Sequence, residues 1–493
     1  MHLIECRNLD SSVAAVVVSL LANANNCDGG MGKRNKNKNR KRKNRSGGPR
    51  VDTWNFGGDH VGGARKRKRE MERQRAAKDK DVQLYKGATL HRHGASIDRL
   101  DPSRISPSEF FAKYVVPRQP VVLTSVAEDK NWKGNEKWTN DYLKSCAGEG
   151  IVRVEYRNHS TGRFGMGQEK QMKFGDFVDL IAAGDALHYL TTQDLKLDEE
   201  GRPGIMSPPV TELFAAGDFS LRPRLLPHLV LFNANVWFGN SPDGSSSGLH
   251  HDFHDNLYIL LRGKKRFRLY SPADALNMYT TGKIVKVHEN GRINYDGALT
   301  RADGADPIAD AAAEAALEQE RAELDLEAAE ASGDQGRIAR AEGRVEKAMD
   351  VVLSIQMNDD AFGDMVEGSA DGQEASSSEG SPLNFCKVDP NLSPSVLADK
   401  FPKFLQAKET FCEVNAGEML YLPAGWFHEV TSCNASPLST GKNEKGGHLA
   451  FNYWFHPPDN VGNGSGSFAR PYTSDFWKND FAMRVKGNKN NSE

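Results

Sequence analysis

Apolar positions along this chain keep three different rhythms. Between Ser106 and Val126, "SPSEFFAKYVVPRQPVVLTSV", a serine followed three residues later by glutamate opens a short amphipathic run. After Pro120 the run turns β-branched, which predicts a capped helix leading into a strand. The segments "WTNDYLKSCAG" and "FGDFVDLIAAGDA" each carry an apolar face and a glycine stop, the signature of two more helices. Strand-like runs follow at "HYLTT", "LVLFNANVWFG", "DNLYILLRG" and "KRFRLYSP", and strand character returns far downstream at "TFCEVNAGEMLYLPAGWFHEVTS" and "GHLAFNYWFHP". Short helices feed a sheet, and the sheet is resumed after a long interruption.

The interruption has a rhythm of its own. From Ile308 to Ile355 the chain is rich in Ala, Glu and Arg, with apolar residues every seven positions at Leu317, Leu324, Ala331, Ile338, Val345 and Val352. "SGDQG" at 332–336 breaks that register, so the pattern predicts two helices in a hairpin rather than one rod. The plainest reading is a solvated helical insert without a partner. The stretch "NDDAFGDMVEGSADGQEASSSEGS" after it is acidic and reads as disordered. The expected organisation is a basic arm at 1–83, one catalytic domain made of 84–279 and 383–458, an insert at 280–382, and a polar tail at 459–493.

Composition adds a charge map. The 493 residues carry a net charge of -2, which hides a segregation: Lys and Arg dominate "KRNKNKNRKRKNR" at 33–45 and "RKRKR" at 65–69, while Asp and Glu dominate 303–379. The basic arm reads as a localisation signal, placing the protein in the nucleus or the cytoplasm, or as a nucleic-acid contact. No aromatic residue interleaves with the 33–45 run, so base stacking is not supported. Six cysteines lie scattered without a C-x-x-C pair, which disfavours a disulfide scaffold and a cysteine zinc site and fits a reducing compartment. No apolar run reaches the roughly 18 residues of a membrane span, so no membrane partner is expected. The candidate leader "SVAAVVVSLLANA" at 12–24 is preceded by Glu5 and Asp10, which speaks against secretion, and Met31 is an alternative start.

The chemistry concentrates in "SSSGLHHDFHDNLYILLRGKKRF", 245–267. Were this a strand throughout, His250, Asp252 and His254 would face one side and His251 and Phe253 the other. A histidine and a carboxylate two residues apart can grip one metal ion, and a third ligand must come from elsewhere. His428, in "AGEMLYLPAGWFHEV", is the best candidate. Two histidines and one carboxylate leave coordination positions open, which suits non-haem Fe(II); a zinc hydrolase is the chemical alternative. Lys265 follows His250 by fifteen residues, just past the turn "RGK", and shares its strand face with Phe267 and Leu269. An inward ammonium needs an anion, and a dicarboxylate co-substrate would supply one. On the bland reading Lys265 is an exposed edge lysine.

Together "GLHHDFHDNLYILLRGKKRFRLYSP", "AGEMLYLPAGWFHEV" and "LAFNYWF" resemble the jumonji-C (JmjC) branch of the Fe(II)/2-oxoglutarate oxygenases, most closely its small cupin-like, JmjC-only lysyl hydroxylase class. The resemblance spans Leu90–Pro458 around the insert. It implies a mostly β fold, a double-stranded β-helix or jelly-roll barrel with flanking helices and a long helical insert between core strands. It implies that His250, Asp252 and His428 hold Fe(II), and that Lys265 and Tyr189 bind the remote carboxylate of 2-oxoglutarate. Asn256 and Asn452 match polar residues near the other end of the co-substrate or the O2 site. Ser247 stands where relatives often have threonine, with the hydroxyl kept. His251 is then outward or one layer behind the ligands, and His254 lines the substrate mouth.

The implied reaction consumes O2 and 2-oxoglutarate, releases succinate and CO2, and hydroxylates a protein side chain, lysine first, on a target such as a translation-associated GTP-binding protein. Demethylation of a histone or other protein lysine is the alternative enzyme reading. A catalytically silent scaffold is the alternative outside enzymes. The family's C-terminal dimer elements imply a homodimer, against which stands the short polar tail after Pro458.

Overall fold

The computed structural model describes residues 81–126, 132–157, 168–197, 203–241, 244–297, 299–362, 382–434, 447–461 and 467–490. The basic arm, apart from its last three residues, and residues 363–381 of the acidic stretch lie outside the described residues; 358–362, expected to be disordered, are instead the helical end of the insert. The strands, in chain order, are β1 (Asp98–Leu100), β2 (Val121–Leu123), β3 (Ile151–Tyr156), β4 (Gln168–Lys173), β5 (His188–Leu190), β6 (Leu231–Gly239), β7 (Ser245–Ser246), β8 (His250–His251), β9 (Asp255–Arg262), β10 (Lys264–Tyr270), β11 (Ile284–Val287), β12 (Ile293–Tyr295), β13 (Glu409–Asn415), β14 (Met419–Leu422), β15 (Phe427–Cys433) and β16 (His448–Phe455).

The major sheet runs β1-β2-β14-β9-β16-β6-β5-β3-β4, and the minor sheet β13-β10-β15-β7 with β8 also on β15. Apart from the parallel β1–β2 pair, both sheets are antiparallel. Strands β9 and β10 follow one another across Gly263 yet belong to opposite sheets, as do β14 and β15. That alternation between two facing sheets makes the jelly-roll, cupin-like barrel. Inside it lie Val122, Tyr258, Leu260, Phe267, Leu269, Val414, Leu420, Leu422, Trp426 and Ala450. Period-two alternation accounts for this: Lys265, Phe267 and Leu269 point in, while Arg266 is exposed and Arg268 half-buried.

Five short helices precede the barrel's ligand strands. These are α1 (Pro107–Phe110), which continues as a wide turn through Val115, α2 (Gly134–Lys137), α3 (Asn140–Ala147), α4 (Phe174–Ala182) and α5 (Val210–Ala215). Ser106 and Glu109 form a reciprocal cap on α1, satisfying two backbone N–H groups that a helix start leaves bare. Apolar faces of α1, α3, α4 and α5 cover the outer side of the major sheet, where Phe110, Leu143, Phe177, Leu213, Val236, Phe238 and Phe451 share one buried cluster.

The insert is a helical hairpin, α6 (Pro307–Ser332) and α7 (Gln335–Phe362), with Gly333 in the left-handed conformation ending α6. The seven-residue period is present, but on α6 its phase differs from the sequence reading. Ala315, Ala322 and Ala329 are buried against Ala341 and Ala348, with Ile338, Val345 and Val352 half-buried beside them. Leu317 and Leu324, two positions past the alanines and about 200° round the helix, are exposed. Small residues let the two backbones approach closely, and leucine would hold them apart. Residues 280–297 and 299–306, expected inside the insert, are not helical: β11 and β12 pair with each other and bury Val287, Ile293 and Tyr295 with Tyr270 and Phe427 on the outer side of the minor sheet.

After α8 (Pro394–Lys400) the chain rejoins the barrel, and past β16 it ends in α9 (Phe476–Asn490). The tail, expected to be polar, buries Trp477 and Arg484. The Trp477 ring lies 3.4 Å from that of His456, and Arg484 donates to the carbonyls of Pro203, Gly204 and Phe232.

Candidate metal centre and co-substrate pocket

The two-residue strand β8 pairs with β15 so that His250 stands opposite His428. One register thus brings together two residues 178 positions apart in sequence. The next residue, Asp252, lies outside any strand, in a turn fixed by the bond from the Gly425 amide to its carbonyl, 2.9 Å. The His428 Nε2 lies 3.7 Å from one Asp252 carboxylate oxygen and the His250 Nε2 4.0 Å from the other. The two imidazole rings are 4.3 Å apart. Among the described residues this is the single group of three or more His, Cys, Asp or Glu side chains whose donor atoms all fall within 4.8 Å of one another.

Second-layer bonds settle how the rings are protonated. The Nδ1 of His250 lies 3.0 Å from the Gly248 carbonyl, and the Nδ1 of His428 lies 2.9 Å from that of Trp426. A carbonyl only accepts, so both Nδ1 atoms carry the hydrogen and both Nε2 lone pairs point toward Asp252. Burial, and then the neighbouring His428, hold the His250 imidazole below its ordinary range, which keeps that lone pair free. Asp252 is steadied in turn by Asn256, whose Nδ2 lies 3.4 Å from its Oδ2.

Asn256 begins a row of amides along the barrel wall. The Asn452 Nδ2 donates to Asn256 Oδ1 at 3.1 Å, while Asn235 and the Trp237 indole donate to Asn452 Oδ1 at 3.2 and 2.9 Å. Asn235 also donates to Asn233. The row is satisfied from end to end, so it holds Asn452 and Asn256 in single orientations.

Lys265 lies on β10, inward and 1% exposed, beside Phe267 and Leu269 on the same face. Its Nζ donates to Ser432 Oγ at 2.6 Å and meets His448 Nδ1 at 3.1 Å. Burial lowers its pKa to about 7. The Tyr189 ring lies 5.9 Å from the same nitrogen and 5.8 Å from the His448 ring, and burial raises its phenol above the ordinary range.

Other sequence candidates fall differently. The Ser247 hydroxyl is engaged with backbone, accepting from Val430 N at 3.0 Å and donating to Gly248 O at 2.9 Å. His251 faces away from His250, toward the outer side of the minor sheet, yet it is fully buried there beneath β12, 2.7 Å from the Tyr295 hydroxyl, and its pKa falls to about 3 through burial. His254 does not join His250 and Asp252, because the chain turns after β8 instead of continuing as a strand. Its ring stacks on Phe232 at 4.0 Å and flanks Trp454 and His456.

Sequence reasoning missed four contributors. Phe385 stacks on His250 at 4.8 Å, and Asn384 donates to the His251 carbonyl at 2.6 Å, so the chain returning from the insert forms a wall of the site. His448 and Ser432 meet Lys265 from β16 and β15. A histidine two residues before "AFNYWF" was the only hint, and its partner is visible only once the strands are in register.

Residues 107–461 match a family described as a cupin-like domain. The chain is 34% identical over 430 residues to JmjC domain-containing protein 4 of Schizosaccharomyces pombe, covering 77% of this chain and 89% of that protein. It belongs to the cupin-like JmjC family. JmjC proteins are 2-oxoglutarate-dependent oxygenases that typically use Fe(II). This chain is also similar to the human "Bifunctional peptidase and (3S)-lysyl hydroxylase JMJD7", 22% identical with 71% of this chain and 81% of that protein covered, and to the Arabidopsis thaliana "Lysine-specific demethylase JMJ32", 23% identical with 73% and 82% covered.

Proposed function

We propose that this JmjC protein is an Fe(II)- and 2-oxoglutarate-dependent protein hydroxylase acting on lysine side chains. The observation that carries the reading is the adjacency of three converging ligand atoms, with two imidazole lone pairs freed by backbone bonds, and a buried lysine in the same barrel without a carboxylate partner among the described residues. Two imidazoles and one carboxylate fit iron(II) and leave positions for ligands that come and go. The name of the human relative supports lysine hydroxylation over other oxidations, and the name of the Arabidopsis relative supports lysine demethylation as the second reading.

In this reading His250, Asp252 and His428 would hold the iron, which with O2 and 2-oxoglutarate would supply the oxidant for a substrate C–H bond, with succinate and CO2 as co-products. The chain's own contribution is geometry. Lys265 and Tyr189 hold the remote carboxylate, Asn256 fixes the Asp252 carboxylate, and Asn452, pinned by Asn235 and Trp237, keeps Asn256 from rotating. Inter-sheet apolar side chains exclude water below the site.

The test is incorporation of oxygen-18 from labelled O2 into proteins of a lysate, read by peptide mass spectrometry, with wild type and His250→Ala. Label retained on a lysine carbon only with wild type supports hydroxylation; loss of methyl groups with no retained label moves the assignment to demethylase. Neither signal with a protein that binds Mn(II) and 2-oxoglutarate would refute lysine as the target.

A further inference from the structure

The inner end of the Lys265 pocket has an unusual construction. Its nitrogen meets two neutral partners, Ser432 Oγ and His448 Nδ1, and among the described residues no carboxylate stands within ion-pair distance of it. Most buried lysines are neutralised by an acid, because an uncompensated ammonium is costly away from water. Here the second partner is itself fully buried and continues inward. His448 Nε2 lies 3.0 Å from Ser241 Oγ, and Ser241 Oγ lies 2.7 Å from Ser245 Oγ. All three are buried, so no bulk water competes for these bonds.

Hydrogen accounting fixes the direction of the chain. Once its dicarboxylate is in place Lys265 is an ammonium, which only donates, so in that state His448 Nδ1 is the bare nitrogen and Nε2 carries the hydrogen. Nε2 then donates to Ser241, which is free to donate to Ser245. The imidazole stays neutral: burial, then Lys265 and Arg157, hold it well below its ordinary range. The other ionisable groups facing the pocket add no formal negative charge that would compensate Lys265. Cys433 follows Ser432 on β15, Tyr189 lies across on β5 with its phenol raised by burial and then by Glu155, and Arg157 lies beyond β3.

We infer that His448 is a positioning residue of the co-substrate pocket: it orients the Lys265 nitrogen through the neutral chain Lys265–His448–Ser241–Ser245, and the pocket takes up a proton together with its dicarboxylate. The inference rests on the oxygenase reading above. The balance is simple. An amine in the empty pocket becomes an ammonium when a carboxylate arrives, the proton comes from solvent, and no bond other than N–H forms. An aspartate in place of His448 would pair with the ammonium permanently and compete with the ligand. A neutral acceptor orients the nitrogen and leaves its charge for the co-substrate.

The experiment is calorimetric titration of 2-oxoglutarate into the Mn(II)-loaded full chain under argon, at pH 6 and pH 8, in two buffers of different ionisation enthalpy. Wild type is expected to take up about one proton per ligand at pH 8 and close to none at pH 6, with Kd rising roughly tenfold per pH unit above pH 7. His448→Asn, which can keep an acceptor near the position of Nδ1, is expected to stay within about threefold of wild type. His448→Leu is expected to bind 2-oxoglutarate at least about tenfold more weakly with Mn(II) affinity unchanged. A leucine variant with wild-type Kd and proton count overturns the inference while leaving the oxygenase reading intact, as does a wild type that binds without proton uptake at pH 8. A wild type that holds Mn(II) but no 2-oxoglutarate overturns both. Should the leucine variant lose Mn(II) as well, Ser241→Ala decides: a measurable weakening of 2-oxoglutarate binding at unchanged Mn(II) affinity upholds the chain, and an unchanged Kd overturns it.

Discussion

Asp255→Asn is the sharpest test of how this barrel positions its ligands. The Asp255 carboxylate is fully buried and accepts four hydrogen bonds: two from the Arg118 guanidinium, one of them at 2.8 Å, one from the Tyr421 hydroxyl at 2.7 Å and one from the Ala424 amide at 3.0 Å. Arg118 is 1% exposed, and its Nε is committed to the Asn290 carbonyl at 2.8 Å. A carboxylate offers about four lone-pair sites, and all are used. An asparagine leaves Arg118 charged without a counter-ion and turns an NH2 group toward groups that themselves donate. Breaking a buried pair from one side costs about 3–5 kcal/mol, and that is the destabilisation expected in urea unfolding of the full chain.

The consequence for the site follows from the Ala424 bond. Ala424 leads into Gly425, whose amide holds the Asp252 carbonyl, and four residues after Ala424 comes His428. Loosening that turn is expected to weaken Mn(II) binding by roughly tenfold or more, the usual cost of losing a support behind the ligands. The pairing of Arg118→Met with Asp255→Leu should recover most of the stability while leaving Mn(II) binding weak, because the Ala424 bond is not restored. Lys264→Ala is the control: its ion pair with Glu413 at 2.7 Å is half-exposed at both ends and should be worth less than about 1 kcal/mol. A cost below about 1 kcal/mol for Asp255→Asn would refute the view that the pair carries structure, and wild-type Mn(II) affinity in that variant would refute the link from pair to site.

Three further outcomes are expected. Gly425→Ala would place a methyl 1.9 Å from the Gly291 carbonyl at a φ of +78°, whereas Gly417→Ala, φ +89°, meets nothing within 4 Å; urea unfolding should show the first costing about 1–3 kcal/mol more than the second, and equal costs would refute the clash. In the hairpin, Ala322→Leu should push α6 and α7 apart and lower stability by about 1–3 kcal/mol, while Leu324→Ala should change it by less than about 0.5 kcal/mol, both read by circular dichroism melting. Burial sets the Lys265 ammonium at about 7, so between pH 7 and pH 10 the unfolded chain binds more protons at this residue, and its contribution to stability rises with pH. Lys265→Met removes that slope, so its stability relative to wild type should fall by roughly 3 kcal/mol from pH 7 to pH 9.5 in urea titrations without co-substrate, and parallel pH profiles would refute the burial argument.

The barrel strands were legible because an inward–outward alternation survives in their letters: "KRFRLY" and "LAFNYWF" announce which residues enter the core. Strand β4, "QEKQMK", has no such alternation and exists through its pairing with β3 at the rim of the sheet. Helix α9 packs one face inward through Trp477, Phe481, Arg484 and Val485, and that helical spacing is easy to overlook among the Lys, Asn and Gly residues that surround it. The hairpin shows a subtler limit. A seven-residue repeat has the same period in every phase, so "L" at 317 and 324 and "A" at 315 and 322 are equally periodic, and packing chose the smaller residues. His254 went astray for another reason: alternation was extended past a strand that is only two residues long.

What remained hidden at the site shares one physical cause. His250 and Asp252 are neighbours in sequence, so their spacing could be read as chemistry, and His428 and Lys265 sit beside recognisable turns. Ser432 and His448 meet Lys265 only because β10 pairs with β15 and β16 enters the facing sheet, and Phe385 reaches His250 only because the chain returns from the insert at that edge. A shift of one residue in either register would turn alternate side chains to the opposite face. The ligands are therefore written locally, while the groups that set their protonation, their orientation and the charge of the pocket are written in strand register. Register is fixed by the apolar core between the sheets, so residues such as Phe267 and Leu269, which touch no co-substrate, determine whether Lys265 faces His448 at all.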